Sequence, residues 1–277
     1  MICESNGQTD QDPFKDFQKP DRLNLSHFKS MKVIGKGSFG TISLGIHIPS
    51  NNCFAIKQLK KADMMKAKQI DHLRNEIYIL NALKHPFIIR LYGVVQDSRY
   101  ISLIIDYIPG GELFTILRET GRFGKPESIF YAANVVLAFQ YLHSYNIVYR
   151  DLKPENLIID VDGYLKLTDF GFAKIVTNRT YTLCGTPEYV APEIIRCKGH
   201  GKEVDWWALG ILMYEMLVGI DPFNANSPME TFKRILTADV VFPSKFYKDA
   251  KSLIKHLLNK DISKRYGNLV NGKLRKS

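Results

Sequence analysis

Asp151, Lys153 and Asn156 fall within six positions of one another, in the run Ile147-Val148-Tyr149-Arg150-Asp151-Leu152-Lys153-Pro154-Glu155-Asn156. An acid can orient a hydroxyl group and take its proton, a lysine can offset anionic charge, and an asparagine carbonyl can hold a hard cation. Thirteen positions after Asn156 stands Asp169, followed by Phe170 and Gly171, an order that presents a carboxylate and lets the backbone turn sharply. Near the start of the chain, Gly35-Lys36-Gly37-Ser38-Phe39-Gly40 spaces three glycines so that a backbone can approach phosphates and offer amide hydrogens.

These residues need elements to hold them. Ile147-Val148 leads into the acid–lysine–asparagine loop and Leu157-Ile158-Ile159 leads out. Both runs can be buried, which would fix the polar residues on a loop between two pieces of core. The glycine run follows a strand-like stretch, Phe28–Ile34, and precedes Thr41-Ile42-Ser43-Leu44, which alternates as a strand does. A dinucleotide-binding unit would need a helix directly after the third glycine, so a strand–turn–strand hairpin is the better reading; a plain glycine hairpin remains open. Cys53-Phe54-Ala55-Ile56-Lys57 reads as a strand ending in lysine. Lys66–Ala82 reads as a helix with Ile70, Leu73, Ile77 and Leu80 on one face and Glu76 near its middle, stopped by Lys84-His85-Pro86. Phe87–Val95 and Tyr100–Tyr107 read as strands around an Asp97-Ser98 turn, before the breaker-rich stretch Ile108-Pro109-Gly110-Gly111-Glu112. From there the pattern is mainly helical: Leu113–Glu119, then Pro126–Ser144, with Phe130, Ala133, Leu137 and Tyr141 at helical spacing and read as buried. Val204–Gly219, Met229–Leu236 and Tyr247–Leu258 follow, and Tyr164–Thr168 reads as a strand. Asp205 is a candidate buried acid for the amides of the catalytic loop, and Arg265 a candidate partner for Glu193.

Taken in order, the glycine run, the Ala-Ile-Lys strand, Tyr149–Asn156, Asp169-Phe170-Gly171 and Ala191-Pro192-Glu193 resemble the motif set of protein kinases, with Tyr149 where most carry histidine. The likeness runs from Phe28 to about Lys273 and is strongest to the basophilic AGC group of cyclic-AMP-dependent type. It implies an α+β, two-lobed kinase fold: an extension over 1–27, a small β-rich lobe with one regulatory helix over 28–108, and a larger, mainly helical lobe over 109–277. It implies Mg²⁺-dependent transfer of the ATP γ-phosphoryl group to serine or threonine of proteins. By this resemblance Asp151 and Lys153 are catalytic, and Asn156 and Asp169 hold the metal. Ile34, Gly35, Lys36, Gly37, Ser38, Phe39, Gly40, Ile42, Ala55, Lys57, Glu76, Asp106, Ile108 and Ile158 serve ATP, with Glu76 reaching back to Lys57.

Glu112, Glu155 and Glu215 would face basic residues before the acceptor, a carboxylate being able to take arginine bidentately; the alternative is three ordinary acids. Leu183, Pro187 and Val190 would form an apolar pocket for the residue after it. Thr186 and Lys153 suit serine or threonine acceptors. Thr182 lies in a hydroxyl-rich run, and a phosphoryl group there would add charge for Arg150, Lys174 and His72 to bind; in isolation Thr182 would be only an exposed hydroxyl. The likeness leads one to expect a further helix and a long tail beyond Leu269, on which ATP affinity and stability would depend. Asp221 stands where the family often has proline. A pseudokinase-like binding module is the second reading; filled catalytic positions favour the enzyme.

Composition agrees with a globular chain: 45% hydrophobic and 24% charged among 277 residues. No apolar run nears the roughly 20 residues that span a bilayer, so no membrane span is expected. The N-terminus has neither a basic-then-apolar signal nor a glycine at position 2. The net charge of +10 is spread along the chain, which suits a solvated basic surface and an anionic ligand better than nucleic acid. Cys3, Cys53, Cys184 and Cys197 have no metal-ligand spacing, which points to free thiols in a reducing compartment. The expected location is the cytoplasm and also the nucleus. Expected partners are protein substrates with basic motifs and, by resemblance, a cyclic-nucleotide-binding regulatory subunit.

Overall fold

The computed structural model describes residues 24–37, 39–270 and 273–274. Ser38, Phe14 and Phe17 with the rest of the expected extension up to residue 23, and most of the basic terminus lie outside the described residues. The chain forms two compact units, the first ending at Arg74 but including Leu91–Asp106, the second made of Asn75–Arg90 and everything from Tyr107. A contiguous lobe over 28–108 is therefore interrupted by Asn75–Arg90.

The first unit is a five-stranded antiparallel sheet in the order β1-β2-β3-β5-β4. Its strands are β1 (Phe28–Gly37), β2 (Gly40–His47), β3 (Asn52–Lys60), β4 (Leu91–Gln96) and β5 (Tyr100–Asp106). Strand pairing matches Gly35 to Ile42, Ile42 to Lys57, Leu44 to Ala55, and Lys57 to Leu103. Paired residues share a face, so Gly35, Ile42, Ala55 and Lys57 line one side of the sheet. The opposite side packs Phe28, Ile56 and Ile104 with Leu25, Phe54, Tyr92 and Val95. Lys57 lies inside β3, not at its end, because β3 continues to pair with β5 as far as Lys60.

The glycines of the β1–β2 hairpin differ in what they are for. A Cβ on Gly40 would lie 1.8 Å from the Gln58 carbonyl oxygen, so β3 itself demands glycine there. A Cβ on Gly37 would meet nothing within 4 Å, and its backbone has an ordinary φ. Packing thus leaves the Gly37 backbone open to an approaching ligand. Gly40→Ala is expected to cost about 1–3 kcal/mol by overpacking, while Gly37→Ala is expected to leave the melting temperature unchanged. Thermal melts of the two variants check this; equal melts would contradict it.

Two helices follow β3 where the sequence suggested one. α1 (Lys61–Lys66) ends before Lys68, whose φ of 54° interrupts the helix, and α2 (Ile70–Ala82) restarts it, burying Leu73, Ile77 and Leu80. β4 begins only at Leu91, later than expected. Phe87 and Ile89 instead exchange backbone hydrogen bonds with Leu167, Leu167 N–H to Phe87 O and Ile89 N–H to Leu167 O, both 2.9 Å.

The second unit is built around helices: α3 (Leu113–Thr120), α4 (Lys125–Ser144), α5 (Pro192–Ile195), α6 (Glu203–Val218), α7 (Pro228–Thr237) and α8 (Lys248–Leu257). Every residue of α6 from Glu203 to Leu217 is buried, as its apolar pattern demands. α4 buries Ala132, Val135, Ala138, Phe139 and Leu142. Phe130, Ala133 and Leu137, read as core, face outward instead and Tyr141 is half-buried; the Phe130 ring meets Tyr164 at a tilt, centroids 5.2 Å apart. A helix apolar nearly all round carries no phase that would say which face turns inward.

Arg265 is fully buried beneath α6 and holds Glu193 bidentately, at 2.5 and 2.9 Å, while its guanidinium lies 5.1 Å from the Trp207 ring centroid. Its remaining donors reach the Asn259 and Glu203 carbonyls. Arg265→Lys keeps the charge but loses the fork and the stacking, and is expected to cost about 1.5–3 kcal/mol. Chemical denaturation measures the difference; no change in midpoint would contradict it.

Candidate active site

The loop holding Asp151 is suspended between two short strand pairs of the second unit. β6 (Ile147–Val148) pairs with β9 (Lys174–Ile175), and β7 (Leu157–Ile159) pairs with β8 (Leu165–Leu167). Ile147, Val148, Leu157 and Ile159 are all buried, as the sequence implied. The backbone takes an uncommon conformation at two points, Arg150 in this loop with φ 69° and Asp169, just after β8, with φ 52°. Non-glycine residues there cost roughly 1–2 kcal/mol each, so something must hold them. For Arg150 it is Asp205, fully buried at the first turn of α6. Its carboxylate accepts Tyr149 N–H at 3.0 Å, Arg150 N–H at 2.9 Å and His143 Nε2 at 2.7 Å. Asp205 therefore does what was expected of it. His143, at the end of α4, is its unforeseen third donor.

Tyr149 is fully buried and its hydroxyl donates to the Thr168 carbonyl, immediately before Asp169. Burial, then the charges of Asp151, Asp169 and Asp205, push its phenol well above the usual range, so it stays a neutral donor. The Phe170 ring meets it edge-on with centroids 5.2 Å apart. Tyr149 thus ties the catalytic loop to the Asp169 turn by one hydrogen bond and one aromatic contact.

Asp151 is 4% exposed. Asn156 Nδ2 donates both to its carbonyl and to Oδ2, at 2.8 Å each. Lys153 Nζ lies 3.1 Å from Oδ2 and donates to Thr186 Oγ1 at 3.0 Å, and that hydroxyl donates to Asp151 Oδ1 at 3.2 Å. Asp151, Lys153, Asn156 and Thr186 therefore form one closed network. Burial raises the Asp151 pKa, against the lowering pull of Lys153. A carboxylate so placed is a stronger proton acceptor than a free one.

Asn156 is tied to the second acidic motif as well. Its carbonyl accepts Thr168 N–H at 2.9 Å and Thr168 Oγ1 at 3.1 Å. Its Nδ2 is committed to Asp151, which leaves the amide oxygen as the end a cation would take. Asp169 Oδ1 accepts Gly171 N–H at 3.1 Å. Among the described residues no group of three or more His, Cys, Asp or Glu side chains could hold a metal. One amide oxygen and one carboxylate fit Mg²⁺, which keeps water and phosphate oxygens as its other ligands; they would not fit a structural zinc.

The other anticipated residues are distributed as follows. In the first unit Ala55 is buried, Lys57 half-buried and Ile34 exposed; the Phe39 carbonyl accepts Lys60 N–H, Lys36 is exposed, and Asp106 accepts the Tyr92 hydroxyl at 2.9 Å. His72 is exposed, with Nδ1 2.8 Å from Gln69 Oε1. In the second unit Glu76 is buried on α2, and Ile108 and Ile158 are half-buried. Glu112 and Glu155 are exposed acids. Glu215 is not: it is 4% exposed, accepts the Tyr189 hydroxyl, and pairs with Arg118 at 2.9 Å. Burial raises its pKa, opposed by Tyr189 and Arg118. Leu183 is exposed, Pro187 half-buried and Val190 buried, so the three differ in what they can offer a ligand.

Around Thr182, which is exposed, the neighbouring residues are anchored. Thr180 is buried and its hydroxyl accepts Lys174 Nζ at 3.1 Å. Arg150 Nε donates to the Phe172 carbonyl at 2.8 Å, while its Nη1 is buried without a hydrogen-bond partner. Burial raises the Cys184 thiol despite nearby Arg150, which disfavours a reactive thiolate.

Comparisons with known proteins agree with this geometry. The family profile described as "Protein kinase domain" matches residues 28–271. The chain is 49% identical over 251 residues to the cAMP-dependent protein kinase type 3 of Saccharomyces cerevisiae, covering 91% of this chain and 63% of that protein. It is 51% identical to the cAMP-dependent protein kinase catalytic subunit of Dictyostelium discoideum, covering 91% of this chain and 39% of that one. To the human cAMP-dependent protein kinase catalytic subunit PRKX it is 46% identical, covering 92% and 71%. It thus spans less than two thirds of the yeast and Dictyostelium proteins.

Proposed function

Since this chain belongs to the protein kinase family, AGC type, with 46–51% identity to catalytic subunits of cAMP-dependent kinases, we propose that it transfers the γ-phosphoryl group of ATP to serine or threonine side chains of proteins. The observation that carries this reading is the closed network of Asp151, Lys153, Asn156 and Thr186. Asp151 orients the acceptor hydroxyl and takes its proton, its basicity raised by burial. Lys153 already spans Asp151 and Thr186, so it offers a positive charge to the phosphoryl group in transit. Thr186 holds both through its hydroxyl, accepting from Lys153 and donating to Asp151. Asn156 and Asp169 would hold Mg²⁺, which neutralises charge on the phosphates. The hairpin backbone at Gly37, with Lys57 on the same sheet, is assigned to the nucleotide phosphates.

Substrates are proposed to carry basic residues before the acceptor. Glu112 and Glu155 are exposed carboxylates able to take arginine directly. Glu215 is proposed to act from beneath, its negative charge shared with Tyr189 and Arg118. Phosphorylation of Thr182 is proposed to order its segment through Arg150 and Lys174, with His72 a further partner. The unpartnered Nη1 of Arg150 supports this, since a buried guanidinium nitrogen calls for an acceptor. A cyclic-nucleotide-sensing regulatory subunit is the proposed protein partner.

The test uses γ-labelled ATP, Mg²⁺ and the Thr182-phosphorylated chain on an Arg-Arg-x-Ser peptide and on its copy with both arginines replaced by alanine. Label in the first and little in the second is expected. Absence of label in both would sink the reading; equal label would sink the basic preference. Capture of a regulatory subunit that cyclic AMP fails to release would count against that partner.

A further inference from the structure

His200 is the most deeply buried histidine among the described residues, at 1% exposure, and its Nε2 has no hydrogen-bond partner. Nothing in the catalytic reading uses it. Its backbone is joined to Thr180 by a reciprocal pair of hydrogen bonds, Thr180 N–H to His200 O at 2.9 Å and His200 N–H to Thr180 O at 2.8 Å. Thr180 in turn holds Lys174 through its hydroxyl. On the other side of Thr182, Gly185 packs closely on the Arg150 backbone, a Cβ there lying 2.9 Å from the Arg150 carbonyl oxygen. Thr182 is therefore two residues from the His200–Lys174 anchor and three from the Arg150 contact. Consecutive Cα atoms stand about 3.8 Å apart, so the Thr182 Cα lies no more than about 8 Å from that of Thr180 and about 11 Å from that of Gly185.

Two buried nitrogens in this region lack partners, Arg150 Nη1 and His200 Nε2. A buried polar nitrogen without a partner is costly, and Arg150 Nη1, a fixed donor, together with a ring nitrogen that becomes a donor on protonation marks a place for an acceptor. We propose that His200 is a ligand of the phosphoryl group on Thr182, donating Nε2–H to a phosphate oxygen beside Arg150 and taking up one proton as the phosphate docks. The inference rests on the regulatory reading of Thr182 given above and adds to it a residue and a proton. The charged groups acting on the imidazole are Arg150 and Lys174, which oppose protonation, and Glu193 and Asp205, which favour it; burial is the largest influence. Together they hold the pKa at about 4, so the ring is neutral at pH 7 without phosphate. A dianion at contact distance offsets the burial cost and the two cations, and the imidazolium becomes the favoured form. The proton comes from solvent and stays on the ring while the phosphate is bound, so no bond is made or broken besides it.

The test compares two forms of the chain, one with phosphothreonine installed at position 182 during synthesis, so that the result does not depend on which enzyme modifies it. The His200 ring is followed by NMR against pH and assigned with His200→Gln. In the phosphorylated form the ring is expected to titrate near neutrality, and in the unmodified form to stay neutral above pH 5. The same low titration in both forms would overturn the proposal. Phosphatase sensitivity is the second readout. Phosphothreonine 182 in His200→Gln is expected to be hydrolysed roughly tenfold faster than in the unsubstituted chain, the loss of about one charge-assisted hydrogen bond. Equal rates would also overturn it. Should phosphorylation leave kinase activity unchanged while the ring titrates upward, the activation role of Thr182 fails and the assignment of His200 stands.

Discussion

Asp151→Asn is expected to lower kcat for peptide phosphorylation by about 10²–10⁴-fold, the usual contribution of a positioned general base, with the melting temperature and nucleotide affinity little changed. The two side chains have the same shape. What the amide loses is the charge and the ability to accept a proton. The geometry makes that loss specific: one Asp151 oxygen is held by Asn156 and Lys153 and the other by Thr186. An asparagine must turn its NH₂ toward either Lys153 or the Thr186 hydroxyl, so it cannot reproduce both contacts. Steady-state kinetics at saturating ATP read the effect. An unchanged kcat would remove Asp151 from the chemistry.

Asp205→Ala is expected to cost about 3–5 kcal/mol of stability, the penalty for leaving buried partners uncompensated, and to abolish activity in the fraction that folds. Three donors lose their acceptor together: Tyr149 N–H, Arg150 N–H and His143 Nε2. The φ of 69° at Arg150 is then no longer held by its amide, and the loop can relax away from the network around Asp151. Asp205→Asn separates the two consequences. It retains one acceptor oxygen but offers an NH₂ to a backbone amide, so it should fold better than the alanine variant and still lose activity. Denaturation midpoints and kcat of the two variants supply the comparison; an alanine variant as stable as the parent would contradict it.

Much of this centre was legible in the residues because it depends on local order. Apolar pairs flanking Tyr149–Asn156 implied a loop pinned by core, and Ile147, Val148, Leu157 and Ile159 are buried. An acid at the start of a largely apolar helix implied an internal partner, and Asp205 caps the loop amides. Arg265 and Glu193 were matched correctly across 72 positions. Features set by three-dimensional phase were not legible. Helix-forming residues run straight through Lys66–Gln69, so nothing in their types announced the break at Lys68. α4 is apolar on most sides, which hid that Phe130 and Leu137 face outward. Glu215 resembled any helix-end acid, since Arg118 lies on another helix and Tyr189 on another segment. His143 and His200 carry no local pattern; only the fold brings one to Asp205 and the other to Thr180. A buried position could have been suspected for His143, which shares the inward face of α4 with Phe139.

Phosphoryl transfer to a hydroxyl at the Asp151 network can be followed by phosphoamino-acid analysis of a basic serine peptide after one incubation with γ-labelled ATP and Mg²⁺, using the Thr182-phosphorylated chain and its Asp151→Asn variant side by side. Label on serine is expected with the unsubstituted chain and almost none with the variant. Label at equal levels from both, or from neither, would contradict it.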